Sequence, residues 1–135
     1  MDIKNYNIYG KKPFTIAVIH GGPGAAGEMT PVAKELSRQW GVLEPLQTAA
    51  SIEGQLEEFK LVLEEIGDSP TQLIGFSWGA WLSYLFAAKF PDLVKKLIVV
   101  GSGGFEVKYA HKIQQTRMNR LNENEKKNIV RLSKY

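Results

Sequence analysis

The pentapeptide Gly75-Phe76-Ser77-Trp78-Gly79 constrains this chain more than any other feature. Its setting gives it meaning. The segment Thr71–Phe76 is a short apolar run of the kind buried in a parallel sheet, and Ser77 to about Phe90 reads as a helix. A serine between a strand and a helix with no linking loop must stand on a sharp turn. Glycines on either side let strand and helix approach without Cβ clashes. Such a turn pushes the Ser77 hydroxyl out at the carboxyl edge of the sheet, at a helix N-terminus whose partial positive charge favours a developing anion. Ser77 is therefore the first candidate nucleophile.

The surrounding pattern alternates strand and helix. Ile3–Tyr9 is expected as a short strand. Phe14–Ile19 is expected as a strand buried on both faces that runs into His20-Gly21-Gly22-Pro23-Gly24. Gly27–Trp40 has helical spacing, with Met29, Val32, Ala33, Leu36 and Trp40 on one face. Gly41–Pro45 reads as a strand stopped by proline. Ser51 is placed to cap a helix through Ile66 that buries Leu56, Phe59, Val62, Leu63 and Ile66. Leu97–Val100 is the next strand. Trp81, Tyr84, Leu85 and Ala88 are expected in the core behind Ser77. The alternation predicts an α/β fold, a mostly parallel sheet with flanking helices. After Gly104 no strand pattern returns. Helices are expected over 106–120 and 123–135, with Asn122 as a cap between them, so residues 1–105 form the core and 106–135 the start of a helical cap.

The glycines after His20 suit backbone donors aimed at an oxyanion. Pro23 has no N–H, which leaves Gly22 as the better donor and Gly21 as the second. The matching donor is the backbone N–H of Trp78, directly after the nucleophile. Neither G-x-G-x-x-G nor G-x-x-x-x-G-K-[ST] can be read here, so a phosphate cradle is disfavoured. The Trp78 ring suits a pocket wall, and Glu44 suits a contact to a substrate amine.

Together these motifs resemble the α/β-hydrolase fold family, and within it the branch near proline iminopeptidases, which carries an H-G-G-P-G loop followed by a G-x-S-x-G elbow. The resemblance covers about residues 3–105, with His20 and Ser77 standing 57 positions apart in the family order. It implies Ser77 as nucleophile, Gly22 and Trp78 as oxyanion donors, and a structural role for His20. It also implies an acyl-enzyme serine hydrolase of aminopeptidase, esterase or amidase type, acting on a small peptide, amide or ester.

One departure is large. A serine nucleophile needs a base, normally a histidine oriented by a carboxylate, and in this fold both follow the serine in the chain. After Ser77 the carboxylates are Asp92, Glu106, Glu123 and Glu125, and the single histidine is His111 on an expected amphipathic helix. Asp92 lies at the far end of the Ser77 helix, about 20 Å away for 13 residues. The expectation is a hydrolase core truncated after the strand at 97–100, inactive or nearly so alone and completed by a C-terminal hydrolase half. The rival expectation is a non-catalytic binding or assembly module. An unpaired sheet edge and the apolar stripe Ile113, Met118, Leu121, Ile129 and Leu132 would drive self-association.

Composition narrows the remaining classes. The 135 residues contain no cysteine, which excludes thiol nucleophiles and Cys-based metal sites. No His/Asp/Glu spacing suggests a metal, and no cofactor is expected. No apolar run reaches the roughly 18 residues of a membrane helix, and the N-terminus has no secretory pattern, so a cytoplasmic protein is expected. Residues 1–105 carry a net charge of −2 and residues 106–135 one of +5. The basic segment reads as a solvated helix face or one that packs on an acidic partner, and nucleic-acid binding is not expected.

Overall fold

A computed structural model describes residues 5–22 and 24–132, with Leu132 described for its backbone alone. The expected strand start at Ile3 and Lys4, the residue Pro23, the Leu132 side chain and the helix end at 133–135 lie outside the described residues. The elements run β1 (Tyr6–Tyr9), β2 (Phe14–Ile19), α1 (Thr30–Leu36), β3 (Gly41–Pro45), α2 (Ile52–Glu65), β4 (Thr71–Phe76), α3 (Trp78–Lys89), a 3-10 turn (Pro91–Leu93), β5 (Val94–Val100), α4 (Val107–Asn119) and α5 (Glu123–Leu132). The chain divides into two compact units, Met1–Ser102 and Gly103–Tyr135.

The first unit is a five-stranded mixed sheet in the order β1-β3-β2-β4-β5. β1 runs antiparallel to β3, and the other pairs are parallel. Because strand side chains alternate between faces, β2 feeds two cores. Ala17 and Ile19 join Leu56, Phe59, Val62 and Leu63 of α2 and Leu82 and Phe86 of α3. Ile16 and Val18 join Met29 and Ala33 at α1. The α/β fold expected from the periodicity is the fold observed.

Three expectations are corrected. The helix expected over Gly27–Trp40 is confined to Thr30–Leu36, because Gly27 has φ +87° and Pro31 sets the first helical turn. Val32 and Trp40 are consequently exposed. The strand expected over Leu97–Val100 begins earlier, at Val94. On α3, Trp81, Tyr84, Leu85 and Ala88 face outward, and Gly79, Ala80, Leu82, Ser83 and Phe86 are the buried side. The reason is the phase of the helix. Gly79 must lie against the end of β2, and that contact turns the positions two, five, six and nine residues later away from the sheet.

The second unit holds α4 and α5. Asn122 and Glu125 cap α5 reciprocally: the Glu125 N–H donates to Asn122 Oδ1 at 3.0 Å, and the Asn122 N–H to Glu125 Oε2 at 2.8 Å. Among the described residues no helix is long and apolar enough to cross a membrane.

Candidate active site

β4 ends at Phe76, α3 begins at Trp78, and Ser77 alone makes the connection. It does so with φ 53° and ψ −117°, the one positive φ among the described non-glycine residues. Such a conformation costs about 1–3 kcal/mol and persists where neighbouring structure enforces it. The enforcement is visible on both sides. A Cβ on Gly75 would stand 2.6 Å from the Ala80 Cα, and one on Gly79 would collide with the backbone carbonyls of Ile19 and His20. The Ser77 N–H donates to the Val100 carbonyl at 2.9 Å, and the Ser77 carbonyl accepts from the Ala80 N–H at 3.1 Å. The ends of β2, β4 and β5 and the start of α3 therefore converge on one serine at the carboxyl edge of the sheet.

That strain has a measurable consequence. Ser77→Gly is expected to raise the thermal unfolding midpoint by a few degrees, about 1 kcal/mol of relieved strain, because glycine takes a positive φ without steric cost. A thermal scan by circular dichroism reads it; a lowered midpoint would show that any strain at Ser77 is smaller than the freedom glycine adds to the unfolded chain.

His20 follows β2 and is 1% exposed. The Gln47 N–H donates to His20 Nε2 at 3.1 Å, which fixes Nε2 as the unprotonated nitrogen; Nδ1–H then donates to the Gly21 carbonyl at 2.8 Å. The Gln47 side chain donates back to the His20 carbonyl at 2.8 Å. With both ring nitrogens engaged, His20 pins the loop and has no nitrogen left to receive the Ser77 proton.

The loop is closed from its other end by Glu28, whose Oε2 accepts the Gly21 N–H at 2.9 Å. Ala25 N–H donates to the Gly22 carbonyl at 3.2 Å, and Glu28 N–H to the Ala25 carbonyl at 3.0 Å. The Gly21 N–H, expected as the second oxyanion donor, is thus engaged by Glu28. Gly21 still lies against the serine, since a Cβ there would be 3.2 Å from the Ser77 Cβ. The Gly22 N–H has no partner among the described residues, and the space beside Gly22 is open. Trp78 occupies the first helical position, where the N–H has no intrahelical acceptor. Its indole Nε1 donates to Gln55 Oε1 at 3.0 Å, fixing the half-buried ring against α2.

Glu44, the residue expected at a substrate amine, is engaged by neighbouring side chains. It sits inside β3, 0% exposed. Its carboxylate accepts from the Tyr9 hydroxyl at 2.7 Å, from Asn7 Nδ2 at 3.2 Å and from Thr30 Oγ1 at 3.1 Å. Burial, with the Glu44 carboxylate alongside, pushes the Tyr9 hydroxyl above the usual tyrosine value, so it stays a donor. Glu44 joins β3 to its neighbour β1 and to the start of α1. Its sequence position, at the end of a strand, carried no sign of these partners. Gln47, Gln55 and Glu28 were likewise missed, because each reaches the site through a contact that no local spacing encodes. Asp92 is exposed in the turn after α3, and His111 is exposed on α4.

Residues 44–126 match the alpha/beta hydrolase fold family, and the chain belongs to that family. It is 32% identical over 54 residues to epoxide hydrolase 4 of Mus musculus, a match covering 40% of this chain and 15% of that protein. It is 38% identical over 45 residues to epoxide hydrolase 4 of Homo sapiens, covering 33% of this chain and 12% of that one. The chain thus matches less than a sixth of the length of these relatives. Among solved structures, the thioesterase domain from the curacin biosynthetic pathway superposes with a TM-score of 0.66 at 25% identity, over 86% of this chain and 48% of that one. A Bacillus megaterium epoxide hydrolase superposes with a TM-score of 0.62 at 22% identity, over 72% of this chain and 38% of that one. The latter likeness shows the fold.

Proposed function

We propose that this chain carries the nucleophile and oxyanion half of a serine hydrolase that acts on acyl substrates, of the aminopeptidase, esterase or amidase type. The observation that carries the reading is Ser77 at φ 53° between Gly75 and Gly79, neither of which admits a Cβ, with Gly21 of the glycine loop lying against it. In the reaction, Ser77 Oγ bonds to the acyl carbon and its proton passes to a base. The carbonyl electron pair moves onto oxygen, where the Gly22 and Trp78 N–H groups receive the charge. Collapse expels the amine or alcohol with a proton and leaves an ester on Ser77, which water hydrolyses.

The residue type argues against epoxide opening, the activity in the names of the matched relatives. A serine that opens an epoxide is left as an ether, which water does not cleave under mild conditions. An acyl ester on the same oxygen does turn over. The base and its carboxylate are assigned to a C-terminal hydrolase half. This fits the exposed β5 edge, where Ile98, Val99 and Val100 are each about two-fifths exposed, the form of a strand awaiting a neighbour. The same edge supports the second reading, a non-catalytic module that assembles through it.

An alkyl fluorophosphonate separates the two. The tetrahedral phosphonyl group uses the same donors as an acyl intermediate, and oxyanion and binding contributions alone retain about 10³–10⁴-fold over water. Slow labelling at Ser77 in preference to the other serines is expected, located by peptide mass and absent in Ser77→Ala. Labelling that is absent, or spread evenly and unchanged in Ser77→Ala, would leave the assembly reading standing.

A further inference from the structure

The loop after β2 holds a charge that the reaction above does not use. Glu28 is exposed, yet its carboxylate is held in place by the Gly21 N–H at 2.9 Å. The same oxygen would lie 2.7 Å from a Cβ on Gly21, and the Ser77 Cβ 3.2 Å from that point, so carboxylate and serine flank one glycine. No described residue forms an ion pair with Glu28. A fixed, unpaired negative charge beside the nucleophile opposes the oxyanion that forms there, so it disfavours turnover of a neutral or anionic acyl group. It favours one whose own positive charge arrives next to the acyl carbon.

We propose that Glu28 is a specificity-determining residue, selecting acyl groups that carry an ammonium near the reacting carbonyl, the chemistry of an amino-acid amide or ester with a free amine. The selection rests on the reading of Ser77 as nucleophile, and its geometry comes from the loop alone. Hydrogen bonding to Gly21 removes one oxygen of Glu28 from competition and leaves the other to receive the ammonium. The carboxylate is pre-oriented, so little side-chain freedom is lost when the ligand binds.

The test needs no turnover. Alaninamide, kept protonated in slightly acidic buffer, is titrated into the 15N-labelled chain, with neutral N-acetylalaninamide as the paired probe. Saturable shifts of the Gly21, Gly22 and Trp78 amides are expected with alaninamide, binding roughly fivefold tighter than the neutral probe, the ratio for an exposed charge pair worth about 1 kcal/mol. Glu28→Gln keeps an acceptor for Gly21 and loses the charge, so it should erase the preference while the Gly21 amide proton stays hydrogen-bonded. Equal binding of both probes, no binding of either, or a preference that survives Glu28→Gln overturns the proposal. Because Ser77 need not react, failure of fluorophosphonate labelling and failure of this selectivity are read separately.

Discussion

Gly79→Ala is expected to lower the unfolding free energy by about 3 kcal/mol, at the upper end of what overpacking costs. The added methyl meets the carbonyls of Ile19 and His20 and would stand 2.8 Å from the Ile19 carbonyl carbon. These are backbone atoms at the end of a central strand and cannot swing aside as a side chain does. Either α3 lifts from β2 or the His20 loop moves, and both routes disturb the turn at Ser77. Gly22→Ala is the matched control. Nothing lies within 4 Å of the position its methyl would take, so a change within about 0.5 kcal/mol is expected. Equilibrium urea denaturation of the two variants reads the difference. If Gly79→Ala unfolds at the wild-type midpoint, the close approach of α3 to β2 is not what makes the turn.

The same contact explains which parts of the molecule could be read from sequence. Strand β4, the elbow and α2 with its Ser51 cap were legible because each is written in neighbouring residues: an apolar run, a Gly-Ser-Gly spacing, and a hydroxyl that accepts the Gly54 N–H. The face of α3 was not. Its sequence is apolar on nearly every side, so periodicity could not say which stripe is buried, and the decision fell to the Gly79 packing. The proposed donors divide in the same way. Gly22 and Trp78 are proposed from the backbone rules of a glycine loop and a helix start alone. The loss of Gly21 to Glu28, and the burial of Glu44 beneath Tyr9, Asn7 and Thr30, depend on side chains brought together from separate segments.

Phe86→Ala is expected to cost about 3–5 kcal/mol, the range for deleting a buried aromatic ring. Phe86 is 0% exposed, its ring centroid 4.2 Å from that of Phe59 on α2 and 5.0 Å from that of Phe90. A second tie between α2 and α3 is the Trp78–Gln55 hydrogen bond, next to Ser77. A third link, Lys89 to Glu57 at 3.5 Å, joins two side chains that are about half exposed. Pairs of that kind contribute at most about 1 kcal/mol, and Lys89→Ala should change little. Phe86→Leu, which keeps most of the volume, should lose about 1 kcal/mol. The ranking of the three variants in urea denaturation carries the argument: Phe86→Ala far below, Phe86→Leu between, Lys89→Ala near wild type. With the ring gone, α3 loses its aromatic packing on α2 while Ala80 and Leu82 stay buried nearer Ser77, so its far end is the less constrained. Fluorophosphonate labelling of Ser77 in Phe86→Ala should therefore slow along with the loss of stability. If Phe86→Ala costs less than about 1 kcal/mol, the rest of the buried face of α3 holds the helix, and the aromatic layer has no part in positioning Ser77.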